Sequence, residues 1–127
     1  MIRAGARRVY VIDDDRDILE STAFLLDTLG YGCTAFAGAA EFLERAPGLP
    51  RGCILTDLRM PDIDGFRLAF TVAELGLGWP ILMMTSENGS DLEGRAAAAG
   101  ISALLRKPVE ADLLAETLAS TFERMQA

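Results

Sequence analysis

The stretch VYVIDDDRD, Val9 to Asp17, decides the fold: four apolar residues run straight into three consecutive carboxylates. An unbroken apolar run of four or five residues suits a strand buried on both faces, as in a parallel sheet. The acids that follow set a problem, because like charges about 4 Å apart repel by roughly 4 kcal/mol at an effective dielectric near 20. Either Asp13, Asp14 and Asp15 point apart, or something positive offsets them.

Working outward, the same kind of run recurs at Cys33–Phe36, Cys53–Thr56, Ile81–Met84 and Ser102–Leu105. Helical patterns lie between. Ile18, Leu19, Thr22, Leu25, Leu26 and Leu29 recur at helical spacing, with Asp15 or Asp17 as a cap and Gly30 as a stop. Glu41–Ala46 reads as a shorter helix ended by Pro47, and Phe66–Leu75 as a third closed by Gly76. The segment NGSDLEGRAAAAG, 88–100, reads as a fourth, and Leu113, Leu114, Thr117, Leu118, Thr121, Phe122 and Met125 trace a fifth. Five strand–helix repeats predict an α/β fold of (βα)5 type, a doubly wound five-stranded parallel sheet covered on both faces by right-handed crossovers. No linker is visible, so 1–127 is expected to be a single domain with a core from about 8 to 125.

Composition narrows the chemistry. A net charge of −7 argues against this domain gripping a nucleic-acid backbone and leaves divalent cations and basic protein patches as partners. No apolar run approaches the length of a membrane span, and MIRAGARR lacks the apolar stretch of a secretory signal, so its arginines read as a solvated tail. Cys33 and Cys53 lie in apolar runs without a CxxC motif and read as buried reduced thiols, which suits the cytoplasm. There is no histidine, which excludes Ser-His-Asp and Cys-His catalysis. Lys107 is the sole lysine beside eleven arginines.

In an open α/β sheet, ligands bind outside the carboxyl ends of the strands. The first apolar run is followed by Asp13, Asp14 and Asp15, the third by Asp57, the fourth by Thr85 and Ser86, and the last by Lys107 and Pro108. Singly, each has a plain explanation: Asp15 caps a helix, Asp57 opens the turn-rich MPDIDG, Thr85 and Ser86 cap the next helix, and Lys-Pro is a loop. Their convergence on one sheet edge points to phosphoryl transfer. Two first-loop acids and Asp57 make an oxygen site for magnesium. An Asp carboxylate is a competent nucleophile toward phosphorus, and the transition state needs a cation and a hydroxyl beside it. Lysine supplies a compact point charge there.

These residues resemble a response-regulator receiver domain of two-component signalling, the CheY-like fold, from about Val9 to Phe122. The resemblance rests on VIDDD, TDLRMPDIDGF, ILMMTSE and LLRKP in the family's order and spacing. TDLRMPDIDG is most similar to receivers of the nitrogen-fixation type of transcriptional regulator. The resemblance implies strand order 2-1-3-4-5, Asp57 as phosphoacceptor, and Asp13, Asp14 and the Arg59 backbone carbonyl as further ligands of Mg²⁺ or Mn²⁺. It implies Thr85 as the hydroxyl that meets the phosphoryl group, Lys107 as its ionic partner, and a cis Lys107–Pro108 bond. It implies a bacterial cytoplasmic phosphoprotein that is not an enzyme beyond slow autodephosphorylation. Its partners would be a histidine kinase or phosphotransfer protein, a downstream protein or output domain, and, after phosphorylation, a second copy through the surface of the fourth helix, fifth strand and fifth helix.

Two positions depart from the family pattern. Leu104 stands where a switching Tyr or Phe is usual, and Val109 stands where Phe is common. The resemblance implies that Arg59 and Glu87, two residues after Asp57 and Thr85, together with Ser86 flank the site and tune phosphate lifetime. Their opposite charges would pair across the mouth and hinder water. The paired glycines Gly89 and Gly94 and the small residues around them suggest a mobile fourth helix. A degenerate receiver that binds without being phosphorylated is the alternative that Leu104 raises. A haloacid-dehalogenase-type phosphatase using Asp13 and Asp15 is a remote one, since Asp57 would then lack a role. Nothing after ERMQA reads as a DNA-binding domain, so a chain ending there would signal by protein contact.

Overall fold

The structure, a computed structural model, describes residues 7–126. Five strands alternate with five helices: β1 (Arg8–Ile12), α1 (Arg16–Thr28), β2 (Gly32–Phe36), α2 (Ala39–Arg45), β3 (Cys53–Asp57), α3 (Gly65–Glu74), β4 (Ile81–Thr85), α4 (Leu92–Ala98), β5 (Ala103–Arg106) and α5 (Ala111–Gln126). All neighbouring strands are parallel, in the order β2-β1-β3-β4-β5. Tyr10 of β1 lies opposite Thr34 of β2 on one side and Ile54 of β3 on the other. The chain therefore winds outward to β2, then returns past β1 to build the rest. That reversal places the switch point, and the crevice it opens, at the carboxyl ends of β1 and β3.

Alternation along the strands builds two cores. Tyr10, Ile12, Ile54, Ile81 and Met83 face one way, onto Phe42 of α2, Leu68 and Val72 of α3 and Leu92 of α4. Val9, Val11, Leu55, Leu82 and Met84 face the other way, onto Leu26 of α1 and Leu114, Leu118 and Phe122 of α5. Full burial stabilises each such side chain by about 1.5–3 kcal/mol. Tyr10 anchors the first core: its ring stacks on Trp79 at 5.5 Å between centroids, and its hydroxyl donates to the Pro50 carbonyl.

Several boundaries differ from the sequence expectation, each for a local reason. Asp57, Thr85 and Arg106 are the last residues of their strands rather than loop residues after them. The ladder reaches that far because Asp57 pairs with Met84 and Thr85 with Arg106. Burial on both faces holds for β3 and β4, whereas β2 and β5 lie at the sheet edges and are partly exposed. Cys33 on β2 is accordingly half-buried while Cys53 is fully buried; burial pushes the thiols up to about 11 and about 12 respectively.

Pro47 does not stop α2 abruptly but sits inside a 3-10 turn, Ala46–Gly48, that extends it. Proline fits there because a first-turn position needs no amide donor. Of the arginines read as a tail, Arg8 is in β1 and donates to the Thr34 hydroxyl at 3.0 Å, while Arg3 lies outside the described residues. The fourth helix is shorter than 88–100, beginning only at Leu92. Gly89 precedes it and Gly94 falls inside it. Thr85 and Ser86 therefore do not cap it; Asp91 holds the cap position and makes no side-chain bond there.

Candidate functional site

The opening acids are separated by their roles. Asp15 turns away to cap α1, its Oδ1 accepting from the amides of Asp17 and Ile18 at 3.0 and 3.2 Å. Asp13 turns inward and is wholly buried, its Oδ1 accepting from the Asp15 amide at 3.0 Å and its own amide donating to the Phe36 carbonyl. Asp14 stays exposed beside it. With Asp15 committed to the helix, a paired-acid mechanism on Asp13 and Asp15 loses its second carboxylate.

Across the switch point Asp57 ends β3, its side chain 12% exposed. Carboxylate oxygens of Asp13, Asp14 and Asp57 lie within 4.8 Å of one another. Lys107 Nζ reaches both buried acids, 3.2 Å from Asp13 Oδ2 and 3.3 Å from Asp57 Oδ1. Burial and then the Asp13 charge raise the Asp57 pKa, outweighing the opposing pull of Lys107. Burial works to lower the Lys107 pKa, yet the charges of Asp13 and Asp57 raise it above its ordinary value. One ammonium thus leaves the acid cluster with residual repulsion. Three convergent hard oxygen donors with uncompensated negative charge fit a divalent cation of the Mg²⁺ or Mn²⁺ kind.

Glycine makes room for this cluster. A Cβ on Gly65 would lie 2.8 Å from Met83 Sδ and 3.2 Å from the Asp57 carbonyl, so the first turn of α3 packs against β3 only without a side chain. The Gly65 amide donates to the Leu58 carbonyl at 2.8 Å, closing the β3–α3 loop.

The opposite wall comes from β4 and β5. Thr85 is buried, and its Oγ1 accepts from the Glu87 amide at 3.0 Å, leaving its own hydrogen free to donate. The Lys107 amide donates to the Thr85 carbonyl at 2.8 Å, and the Lys107–Pro108 bond is cis. Ser86 is exposed. Two residues beyond Asp57, the exposed Arg59 guanidinium holds the carboxylate of Glu87, two residues beyond Thr85, through Nε and through Nη2, the latter at 3.1 Å from Oε1. The Arg59 hydrogen bond and charge keep Glu87 below its ordinary range despite an opposing burial effect. Leu104 is half-buried against the Tyr10 core, opposite Met83 in register.

Three contributors were not evident in the sequence. Asp62, in the turn-rich loop after Asp57, reaches back across 22 residues to accept from the Ala40 amide at 2.8 Å. It caps α2, whose own cap position is Gly38 and carries no side-chain bond. Asp64 caps α3 by accepting from the Arg67 amide at 2.9 Å; its place directly before the helix was the available sign. Arg106 bonds to two residues of the β4–α4 region, and no local spacing announces that.

Comparison with known proteins agrees with this fold. The family model for the response regulator receiver domain matches residues 9–119. The chain is 38% identical over 118 residues to the transcriptional regulatory protein FixJ of Bradyrhizobium diazoefficiens, covering 93% of this chain and 58% of that protein. The crystal structure of full-length FixJ from B. japonicum superposes with a TM-score of 0.88 at 38% identity, over 94% of this chain and 59% of the other. The chemotaxis protein CheY4 of Vibrio cholerae superposes with a TM-score of 0.84 at 27% identity, over 91% and 98% of the two chains. The chain spans about half the length of the FixJ relatives it matches. It belongs to the response regulator receiver domain family of bacterial two-component signalling.

Proposed function

We propose that this domain accepts a phosphoryl group on Asp57 from a partner histidine kinase or phosphotransfer protein. The observation that carries the reading is the pairing of Lys107 Nζ with both Asp13 and Asp57 at the mouth of the switch-point crevice. An Asp57 oxygen attacks phosphorus as the bond from phosphorus to the donor's imidazole nitrogen breaks, the electron pair leaving with that nitrogen. The product is an aspartyl phosphate. Lys107 offsets charge on the transferred group, and the Thr85 hydroxyl donates its free hydrogen to it. Asp13, Asp14, Asp57 and the Arg59 carbonyl would hold Mg²⁺ or Mn²⁺, which supplies charge neutralisation on the phosphoryl oxygens.

The Arg59–Glu87 pair stands over the crevice and hinders attacking water, so the domain holds its phosphate long and turns it over only slowly. The signal is read at the α4–β5–α5 surface, by a second copy, a downstream protein or an output domain. Leu104 offers no aromatic ring to swing between solvent and core, so the change travels through the backbone of the β4–α4 loop. Among the described residues no helix is long and apolar enough to cross a membrane. That and two thiols held protonated suit a bacterial cytoplasmic role.

Incubation with acetyl phosphate tests the reading. Intact-mass detection should show one phosphoryl adduct that requires Mg²⁺, is abolished by EDTA and is missing in Asp57→Asn. A folded wild-type protein that takes no adduct from acetyl phosphate or from a phosphorylated kinase would instead be a binding module.

A further inference from the structure

Arg106 closes β5 directly beside Thr85, its pairing partner at the end of β4. Its guanidinium crosses to the β4–α4 region and grips it at two points. Nη1 donates to the Glu87 carbonyl, and Nη2 lies 3.2 Å from Glu93 Oε1 in the first turn of α4. Asp91 makes no capping bond at the start of that helix, which is otherwise held by the buried Leu92 and Ala96 and by the Arg95 guanidinium 4.4 Å over the Phe66 ring. The residue gripped through its carbonyl is also the one whose carboxylate meets Arg59, two residues beyond Asp57, and whose amide donates to Thr85 Oγ1. Glu87 is thus held from three sides, by Thr85 below, Arg59 across the crevice and Arg106 from the neighbouring strand.

The ion pair alone stabilises little, since both partners are more than a third exposed. Its consequence is geometric. Without Arg106 the Glu87 backbone keeps one bond, from its amide to the Thr85 hydroxyl, and the Arg59–Glu87 closure is seated only from the Arg59 side, where Nη1 lies 3.8 Å from Asp64 Oδ2. We propose that Arg106 is a positioning residue: it ties the β4–α4 loop and the start of α4 to β5, and through Glu87 it sets how long a phosphoryl group on Asp57 survives. The lifetime half of this rests on the phosphoacceptor reading above.

The test compares wild type, Arg106→Ala, Arg106→Lys, Arg59→Ala and the Arg59→Ala/Arg106→Ala double variant. Amide exchange of residues 87–98 is measured without phosphodonor, and phosphate loss after acetyl phosphate labelling in Mg²⁺. Arg106→Ala should raise exchange in 87–98 alone and speed phosphate loss by about threefold to tenfold, a barrier change of up to roughly 1.4 kcal/mol. Arg106→Lys should recover part of both effects, because an ammonium reaches one partner at a time. Arg59→Ala should speed phosphate loss without the exchange change, and the double variant should lose phosphate no faster than the faster single one.

Exchange unchanged in Arg106→Ala overturns the tether, and rates that multiply in the double variant overturn its action through Glu87. A wild-type protein that takes no phosphoryl group overturns the phosphoacceptor reading and the lifetime claim with it; the exchange comparison then still decides the tether by itself.

Discussion

At the scale of single residues, the site is a set of charges that fold together at a cost and are useful because of it. Asp57 is buried beside Asp13 with one shared ammonium, and its pKa is raised by burial and by that neighbour. A carboxyl with a raised folded pKa destabilises the native state once it ionises. Asp57→Asn should therefore raise the melting temperature of the metal-free protein at pH 7, each kcal/mol of relieved repulsion being worth about 3–6 °C at this size. Mg²⁺ should narrow the difference; a variant that melts lower than wild type in EDTA would contradict this account. Asp62 behaves in the opposite sense. Burial pushes its pKa up, but backbone amides of Ala40, Ile63, Asp62 and Ala39 outweigh it and bring the pKa below the ordinary value. Its contribution is present above the unfolded pKa near 4 and is lost as pH falls through the lower folded value. Urea unfolding should find Asp62→Asn less stable than wild type at pH 7, with the gap closing toward pH 2. A gap that persists there would assign the effect to something other than charge.

At the scale of elements, legibility in the sequence followed the range of the interaction. Val9–Ile12 and Cys53–Thr56 declare themselves as buried strands because both faces must be apolar. Asp15 declares itself as a cap because the amides it accepts from are two and three residues away. The cap on α2 could not be read locally, since Asp62 arrives from another loop, and α4 is shorter than its sequence suggests because Asn88, Gly89, Ser90 and Asp91 form the loop and turn that lead into it. Gly94 lies within α4, and a Cβ there meets nothing within 4 Å. Gly94→Ala should stabilise that helix by about 0.5–1 kcal/mol and slow amide exchange across Leu92–Ala98. Exchange already as slow in wild-type α4 as in α1 would show that the segment is not the mobile element of the fold.

At the scale of the whole molecule, the order of the strands does the assembling. A chain that winds from β1 out to β2 and back to β3 must leave a crevice at the carboxyl ends of β1 and β3, and there Asp13, Asp14 and Asp57 meet. β5 then carries Lys107 to the same edge from 50 residues beyond Asp57 in sequence. This convergence was visible from the sequence because strand ends and strand order together place the residues that follow. What stayed hidden was how the loops fasten to one another, as Arg106 to Glu87 and Glu93, because side chains that cross between elements leave no period. On the proposed function, this convergence makes Asp57, and neither of the other two acids, the nucleophile. Borohydride reduction of the acetyl-phosphate-labelled protein, followed by peptide mass mapping, tests it most directly, since hydride converts an aspartyl phosphate to homoserine. Homoserine is expected at position 57 alone, formed only when Mg²⁺ was present during labelling. Homoserine at Asp13 or Asp14, or at none of the three in a protein that carried the phosphoryl mass, would contradict it.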